Sequence, residues 1–432
     1  NTVPLEKKYI DFIKSPYLDL LTHGGRTKLP LSLFIKDLID NKQNNKLVNF
    51  NIDHLCSFPI ISYLPQAFTL KILSFMDINP IQLIYFVRLA MSFFSYFWFL
   101  YLYRKISNNY KLILLFTFAL PMTLHQISAF SYDVLHIMLA LTFFTLIIND
   151  LKMLFPRRRE SRLNIPFKNV IIDWIPSYEG MTNKHNINWF EIYKYFQLFL
   201  ILFLFLASKK IGYETFFLFI FLIPFEIKPV IISGLIFIPF YFLSKLTGSY
   251  DLQYSLNSQV VNPLHQLNFL FSNPVNIISV LVTTTVQRFS FYLQSLIGIF
   301  GWLEYGLDPL SYFLYGLFFI YLLVNINLMK KQLLTKNKTI FLFITLIISY
   351  IFIVLLAFIF NTSSGSLTAH GVQGRYFIPF LPFIILLIVQ FTRNIKWFKK
   401  TKIGDSVKNI FCFLIILYLI GATFYSVYNR YY

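Results

Sequence analysis

Apolar runs about 20 residues long, each enough to cross the hydrocarbon core of a bilayer, recur along this chain from one end to the other. Ten are read: 81–104, 111–127, 132–150, 191–208, 212–226, 229–245, 311–329, 339–360, 376–392 and 409–427. In hydrocarbon every backbone polar group must find its partner within the protein, and for runs of this length that means helices. Composition agrees, with 56% hydrophobic, 20% aromatic and only 13% charged residues among 432. The expected class is all-α: a polytopic membrane protein of about ten transmembrane helices. One more span is expected upstream of Asn1. The chain opens on the polar NTVPLEKKYI, without a methionine or a signal-like segment, and ten spans leave both ends on one side.

Four regions follow. Residues 1–80 read as a first long loop with amphipathic helices, YIDFIKSPYLDLL and LPLSLFIKDLID, broken by Gly24, Gly25 and Pro30. Residues 81–245 hold spans and a basic loop near 151–190; residues 246–310 form a second long loop; residues 311–432 return to spans. Within the second loop, IISVLVTTTVQRF and FYLQSLIGIF read as interfacial or re-entrant helices. Positive charge in short loops marks the cytoplasm. Arg104, Lys105 and Lys111, the string FPRRRESR, Lys330 with Lys331, and the run from Arg393 to Lys408 all thread to one side. Residues 1–80, 125–132, 246–310 and 361–375 then lie outside, with the terminal YNRYY.

The formal net charge of +19 does not indicate nucleic acid, because the basic residues sit in short segments between apolar runs and form no groove-sized patch. Lipid headgroups are the expected partners of that charge. Cys56 and Cys412 offer neither a disulfide framework nor a metal-binding spacing. Phosphate-cradling loops, dinucleotide fingerprints, HExxH and GxSxG are absent from the sequence, so no nucleotide or redox cofactor is expected.

Charge within or at the lip of an apolar span is costly without a partner, which makes each such residue a candidate for function. Arg88 lies deepest in its span, and an internal ion pair or snorkelling is its structural alternative. Arg375, in HGVQGRYF, follows a loop rich in Ser, Thr and Gly; its guanidinium suits paired hydrogen bonds to a phosphate, with Gln373 beside it. Gly371 and Gly374 would let the backbone approach a ligand. Lys209 and Lys210 thread to the outside, against the charge rule, as if kept for an anionic substrate. Asp133, at the outer start of a span, could activate a hydroxyl, bind a divalent metal or cap its helix. His125 and His136 flank it. In the second loop Glu304 and Asp308 are candidate acids, and Trp302 with Tyr305 suits either sugar stacking or an interfacial aromatic belt.

Six strings together carry a resemblance: SYLPQAFTLKI (62–72), YFVRLAMSF (85–93), LPMTLHQISAFSYDVL (120–135), NPLHQLNFLFSNP (262–274), GIFGWLEYGLDP (298–309) and HGVQGRYFIPFLP (370–382). In this order they resemble a bacterial integral-membrane family of unknown function, itself similar to GT-C type glycosyltransferases. The resemblance implies transfer of a sugar from a polyprenyl-phosphate carrier at the outer face of the bacterial cytoplasmic membrane. The acceptor would be a cell-envelope glycan or a lipid-linked saccharide. Arg375, Lys209, Lys210 and Arg88 would hold the carrier phosphate, with Gln373, Glu304 and Trp302 binding substrate. Asp133 matches the second carboxylate of such enzymes; the main base falls to the first loop, where Asp11, Asp19 and Asp53 form no acidic pair, or upstream of Asn1. Two other classes remain. A lipid-linked-saccharide flippase or transporter would show discontinuous helices near the midplane and repeat symmetry. A non-catalytic component of an envelope-synthesis complex would leave Arg375 and Asp133 apart.

Overall fold

The computed structural model describes residues 2–7, 30–39, 46–51, 59–76, 78–153, 189–209, 212–223, 261–301, 303, 305–327, 334–393 and 405–431. The chain is a mostly helical, multi-pass membrane protein. Six described helices are long and apolar enough to cross a membrane, or up to eight if each of two bent helix pairs is one span. The expected span at 229–245 lies outside the described residues.

The order of elements explains the difference from ten spans. Helix α1 (Leu31–Ile39) and helix α2 (Leu64–Leu73) precede the first long span, α3 (Pro80–Lys105). The expected span 111–127 is two helices, α4 (Lys111–Phe118) and α5 (Pro121–Ser128), bent by 68°. Pro121 has no N–H to continue the ladder and drives Leu120 to an extended ψ of 126°. Spans α6 (Asp133–Met153) and α7 (Trp189–Ala207) follow. The expected span at 212–226 shows a 3-10 helix at Glu214–Leu222 in its described part.

The second long loop contains α8 (Pro263–Ser272) and α9 (Pro274–Gly298), bent by 112° at Asn273, again the residue before a proline. The two strings read there as separate pieces form one continuous helix of 25 residues, α9. Spans α10 (Pro309–Asn327) and α11 (Lys336–Asn361), the 3-10 turn Gly374–Phe380 leading into α12 (Leu381–Thr392), and α13 (Asp405–Tyr431) complete the bundle.

Two short strand pairs accompany the expected helices. In the first loop, β1 (Thr2–Glu6) pairs antiparallel with β2 (Leu47–Asn51), and after α9 a short hairpin joins β3 (Ile299–Phe300) to β4 (Tyr305–Gly306). Of the two helices expected in this loop, LPLSLFIKDLID contains α1, while YIDFIKSPYLDLL lies outside the described residues. A capping box anchors α1 to α3: Asn79 Oδ1 accepts from Gln82 N at 2.8 Å, and both side-chain amides donate to the Leu38 carbonyl, at 3.1 and 2.8 Å.

Two elements lie at the centre of the bundle. Within the protein, 78% of the apolar window of Asp133–Leu151 is buried and 61% of that of Gly374–Thr392, against 17% to 39% for the other four, which therefore face lipid. Lipid tails are as apolar as leucine, so this centre is held by close packing rather than by exclusion of water. Phe383 stacks on Phe219 at 4.1 Å and meets Phe144 edge-on at 5.1 Å, joining α12, the 3-10 helix and α6.

The glycines of HGVQGRYF have structural duties that the sequence reading assigned to a ligand. A Cβ at Gly374 would stand 2.1 Å from the Tyr292 carbonyl oxygen and 2.2 Å from Leu296 N, so the backbone it admits is that of α9. Its N–H donates to Ser295 Oγ at 2.8 Å. Gly371 adopts φ +84°, a turn conformation that other residues rarely take. Replacing Gly374 with Ala is therefore expected to destabilise the fold by about 3 kcal/mol, the scale of severe overpacking. Gly316→Ala on α10 has no neighbour within 4 Å and serves as control. Melting of the purified variants in detergent checks this: G374A melts well below wild type, and G316A melts at or slightly above it.

Candidate functional site

The two central spans each begin with a charged residue at the same end of the bundle. Asp133 opens α6, where the helix dipole favours a carboxylate. The expected capping duty belongs to Ser131, whose Oγ accepts from Asp133 N at 3.1 Å. This leaves the Asp133 carboxylate free to reach Lys209, which follows α7, with Nζ 2.8 Å from Oδ1 and both side chains nearly buried. Three tyrosine rings surround the ammonium: Tyr132 at 4.8 Å, Tyr376 at 5.0 Å and Tyr213 at 5.4 Å from centroid to nitrogen. Burial alone would lower the Lys209 pKa; attraction to Asp133 more than offsets that and holds it above its ordinary value.

Gln126, on α5, carries the network to Arg375. With its amide nitrogen facing Asp133, it donates to Oδ2 at 3.0 Å and its oxygen accepts from Arg375 Nη1 at 3.3 Å, the orientation that satisfies both neighbours. Arg375 is the second residue of the 3-10 turn, its guanidinium 5.8 Å from the Tyr376 ring centroid. Its Nε is buried and has no hydrogen-bond partner among the described residues. Asp133, Lys209 and Arg375 together leave one surplus positive charge.

Neighbouring segments hold this cluster in place. Ser62 Oγ donates to the Ser208 carbonyl, and Gln66 Nε2 donates to the Ser131 carbonyl at 2.7 Å. These residues, four apart at the start of α2, clamp the turns that carry Lys209 and Asp133. His136 is part of the same support: Nδ1 lies 2.8 Å from Ser208 Oγ, and its ring stacks on Phe205 at 4.2 Å. Tyr213 Oη donates to the Tyr376 carbonyl at 3.0 Å.

Of the other sequence candidates, Arg88 ties α3 to α5, donating from Nε to the Ser128 carbonyl at 2.9 Å, with its guanidinium 5.3 Å from the Tyr85 ring centroid. His125 itself stacks on Phe300 at 4.9 Å. Gln373 immediately precedes the Arg375 turn, and its carbonyl accepts from Tyr376 N at 3.0 Å. Asp308 caps α10, taking bonds from Ser311 N at 2.9 Å and Ser311 Oγ at 2.7 Å. Lys210, Trp302, Glu304, Asp11, Asp19 and Asp53 lie outside the described residues.

A metal at Asp133 does not suit these surroundings. Its oxygens face an ammonium and an amide nitrogen, both donors, where a cation would need further oxygen ligands. Among the described residues there is no group of three or more His, Cys, Asp or Glu able to hold an ion.

The segments meeting here, 62–66, 88, 120–133 and 370–376, all fall within one longer match. The model of the family described as "Predicted membrane protein (DUF2142)" matches residues 38–384. The chain belongs to the DUF2142 family. No curated protein and no solved structure matches it. The DUF2142 match takes in every residue of the charge cluster and stops before α13.

Sequence reading overlooked Gln126, Tyr132, Tyr213 and Tyr376. Gln126 had a signal, an amide on a short apolar helix one turn from a proline break; the tyrosines had none, in a chain with 28 of them. Removing one partner of a buried ion pair strands the other charge, at about 3–5 kcal/mol. Asp133→Asn and Lys209→Met are each expected to destabilise on that scale. The double variant should lose clearly less than the sum, and a double-mutant cycle of unfolding free energies measures the difference.

Proposed function

We propose that this DUF2142 member is a GT-C-like membrane glycosyltransferase, moving a sugar from a polyprenyl-phosphate carrier to an extracytoplasmic glycan or lipid-linked acceptor. In this reading the end of the bundle that carries Asp133, Lys209 and Arg375 is the outer face of a bacterial cytoplasmic membrane. The observation that supports it best is the half-buried Arg375 guanidinium, whose Nε has no hydrogen-bond partner among the described residues, beside an Asp133–Lys209 pair that already balances its own charges. A half-buried cation at a lipid boundary is stabilised by an anion that arrives with the lipid.

The chemistry divides among the residues as follows. The acceptor hydroxyl oxygen bonds to the sugar's anomeric carbon as the bond from that carbon to the phosphate oxygen breaks. The leaving polyprenyl phosphate gains negative charge, which Arg375 offsets through Nε and a terminal nitrogen. Gln126 fixes the guanidinium through Nη1. Lys209 is committed to Asp133, so its part is to keep the turn after α7 in place rather than to grip the carrier. The Asp133 carboxylate is occupied by donors from Lys209 and Gln126, which makes it a positioning residue; a first-loop carboxylate takes the proton.

One observation favours a second reading, a flippase or transporter of lipid-linked saccharides. Helices α4 and α5 form a broken pair with a 68° bend, and α5 brings Gln126 and His125 to the cluster. Broken helices lining a polar site are a feature of transporters. A closed Asp133–Lys209 pair also fits a non-catalytic component.

Purified protein in liposomes with a polyprenyl-phosphate-linked sugar separates these readings. Transfer by wild type, reduced about 100-fold in kcat/KM by Arg375→Ala and partly restored by Arg375→Lys, supports the enzyme. Full activity in a folded Arg375→Ala protein removes Arg375 from the mechanism. Movement of the lipid across the bilayer without transfer supports the flippase.

A further inference from the structure

A cavity of about 820 Å³ lies between the β3–β4 hairpin and α13, and none of the charge-cluster residues lines it. Tyr305, Tyr418 and Tyr425 contribute rings to its lining, and Asp308 and Arg430 contribute one charge of each sign. Its size is that of a pocket for a small organic molecule.

Gly421 is the sharpest feature of the lining. A glycine within a helix costs about 1 kcal/mol relative to alanine. No protein atom comes within 4 Å of the position a Cβ would occupy there, so packing against the protein does not call for glycine. The missing side chain leaves room in the cavity instead.

The position of the cavity follows from how α10 and α13 pair. Tyr418 Oη donates to Asp308 Oδ1 at 3.2 Å just before α10 begins, and Tyr321 meets Phe411 at 5.9 Å further along, so the two helices run antiparallel. Beyond Tyr418, α13 continues for about 18 Å to Arg430, at 1.5 Å per residue. Ser426 Oγ donates to the Gly306 carbonyl at 2.9 Å, fastening this extension to the hairpin. The cavity therefore lies beside the N-terminal end of α10.

The chemistry of the lining narrows the occupant. Tyrosine faces suit the C–H face of a sugar ring, and their hydroxyls suit its edge. Asp308 Oδ2 accepts from Ser311 Oγ and keeps further acceptor capacity for a sugar hydroxyl, while Arg430 supplies donors. Burial works against ionised Asp308, but bonds from Ser311 and Tyr418 outweigh it and hold the carboxyl below its usual range. Among the described lining residues, one carboxylate and one guanidinium balance in formal charge.

We propose that this cavity is a saccharide subsite, taking an uncharged sugar ring beside the start of α10. Its name as an acceptor site rests on the transfer reading; the binding does not. The position fits that role. Tyr305 lies 5.6 Å from Phe300, which stacks on His125 of α5, the helix that also carries Gln126. One wall, α13, lies outside the residues matched by the family, which places sugar choice partly in a segment beyond that match.

The test is saturation-transfer NMR on the full chain in nanodiscs, free of sugar-based detergent, with the methyl glycosides of glucose, galactose, mannose and rhamnose as probes and glucose 6-phosphate and glycerol as comparators. At least one neutral glycoside should give a signal above both comparators. Gly421→Leu, whose Cβ has no protein atom within 4 Å and whose side chain takes up room in the cavity, should reduce that signal at least fivefold. Tyr425→Ala, at a ring 67% exposed, should also weaken it and serves if the leucine variant does not fold. Glycoside binding by a wild-type protein that shows no sugar transfer counts against the enzyme reading alone. No glycoside signal above glycerol, a stronger signal from the phosphorylated sugar, or a signal indifferent to both cavity variants overturns the subsite.

Discussion

An ammonium and a carboxylate 2.8 Å apart, both nearly buried at the end of a membrane bundle, set the terms for everything around them. Neither charge is tolerable there alone, so the turn after α7 and the start of α6 must meet. Once they meet, the remaining Asp133 oxygen positions Gln126, Gln126 positions Arg375, and Arg375 fixes how the 3-10 turn enters α12. The most buried spans, α6 and α12, are thus joined by polar contacts at one end and by phenylalanine packing along their length.

Prolines and glycines decide which segments reach that end. Pro121 breaks a span so that α5 turns toward the cluster, and Pro274 turns α9 across the bundle. Gly374 then lets the Arg375 turn lie against the backbone of α9, closer than any side chain would allow. Sugar transfer and lipid movement both require a charged group held at a lipid boundary by a rigid frame, and this frame is built from backbone contacts as much as from side chains.

Much of this could be read from the chain. Long apolar runs gave α3, α6, α10, α11, α12 and α13 within a few residues, because hydropathy over 20 residues is a strong signal. The run at 214–222 is just as apolar yet folds as a 3-10 helix, since hydropathy reports burial and not helix type. The β1–β2 ribbon escaped because five-residue strands in a polar loop carry little periodicity. At the site, cost of burial correctly singled out Asp133, Lys209 and Arg375 as residues in need of partners. Which partners they found was not legible: Lys209 appeared to be held for a substrate, and its counter-ion lies 76 positions earlier. Contacts between turns so distant in sequence leave no local pattern. The glycines beside Arg375 were also open to two meanings, and α9, which decides between them, could not be placed from sequence alone.

The account stands on one arrangement: a closed Asp133–Lys209 pair with Arg375 joined to it through Gln126. A cryo-electron-microscopy reconstruction of the full chain in a lipid nanodisc, resolved well enough to place side chains, tests it most directly. The expected map shows Lys209 Nζ in contact with Asp133 and the Arg375 guanidinium next to Gln126. A map with Lys209 turned out to lipid, or Arg375 and Asp133 at opposite ends of their spans, would contradict it.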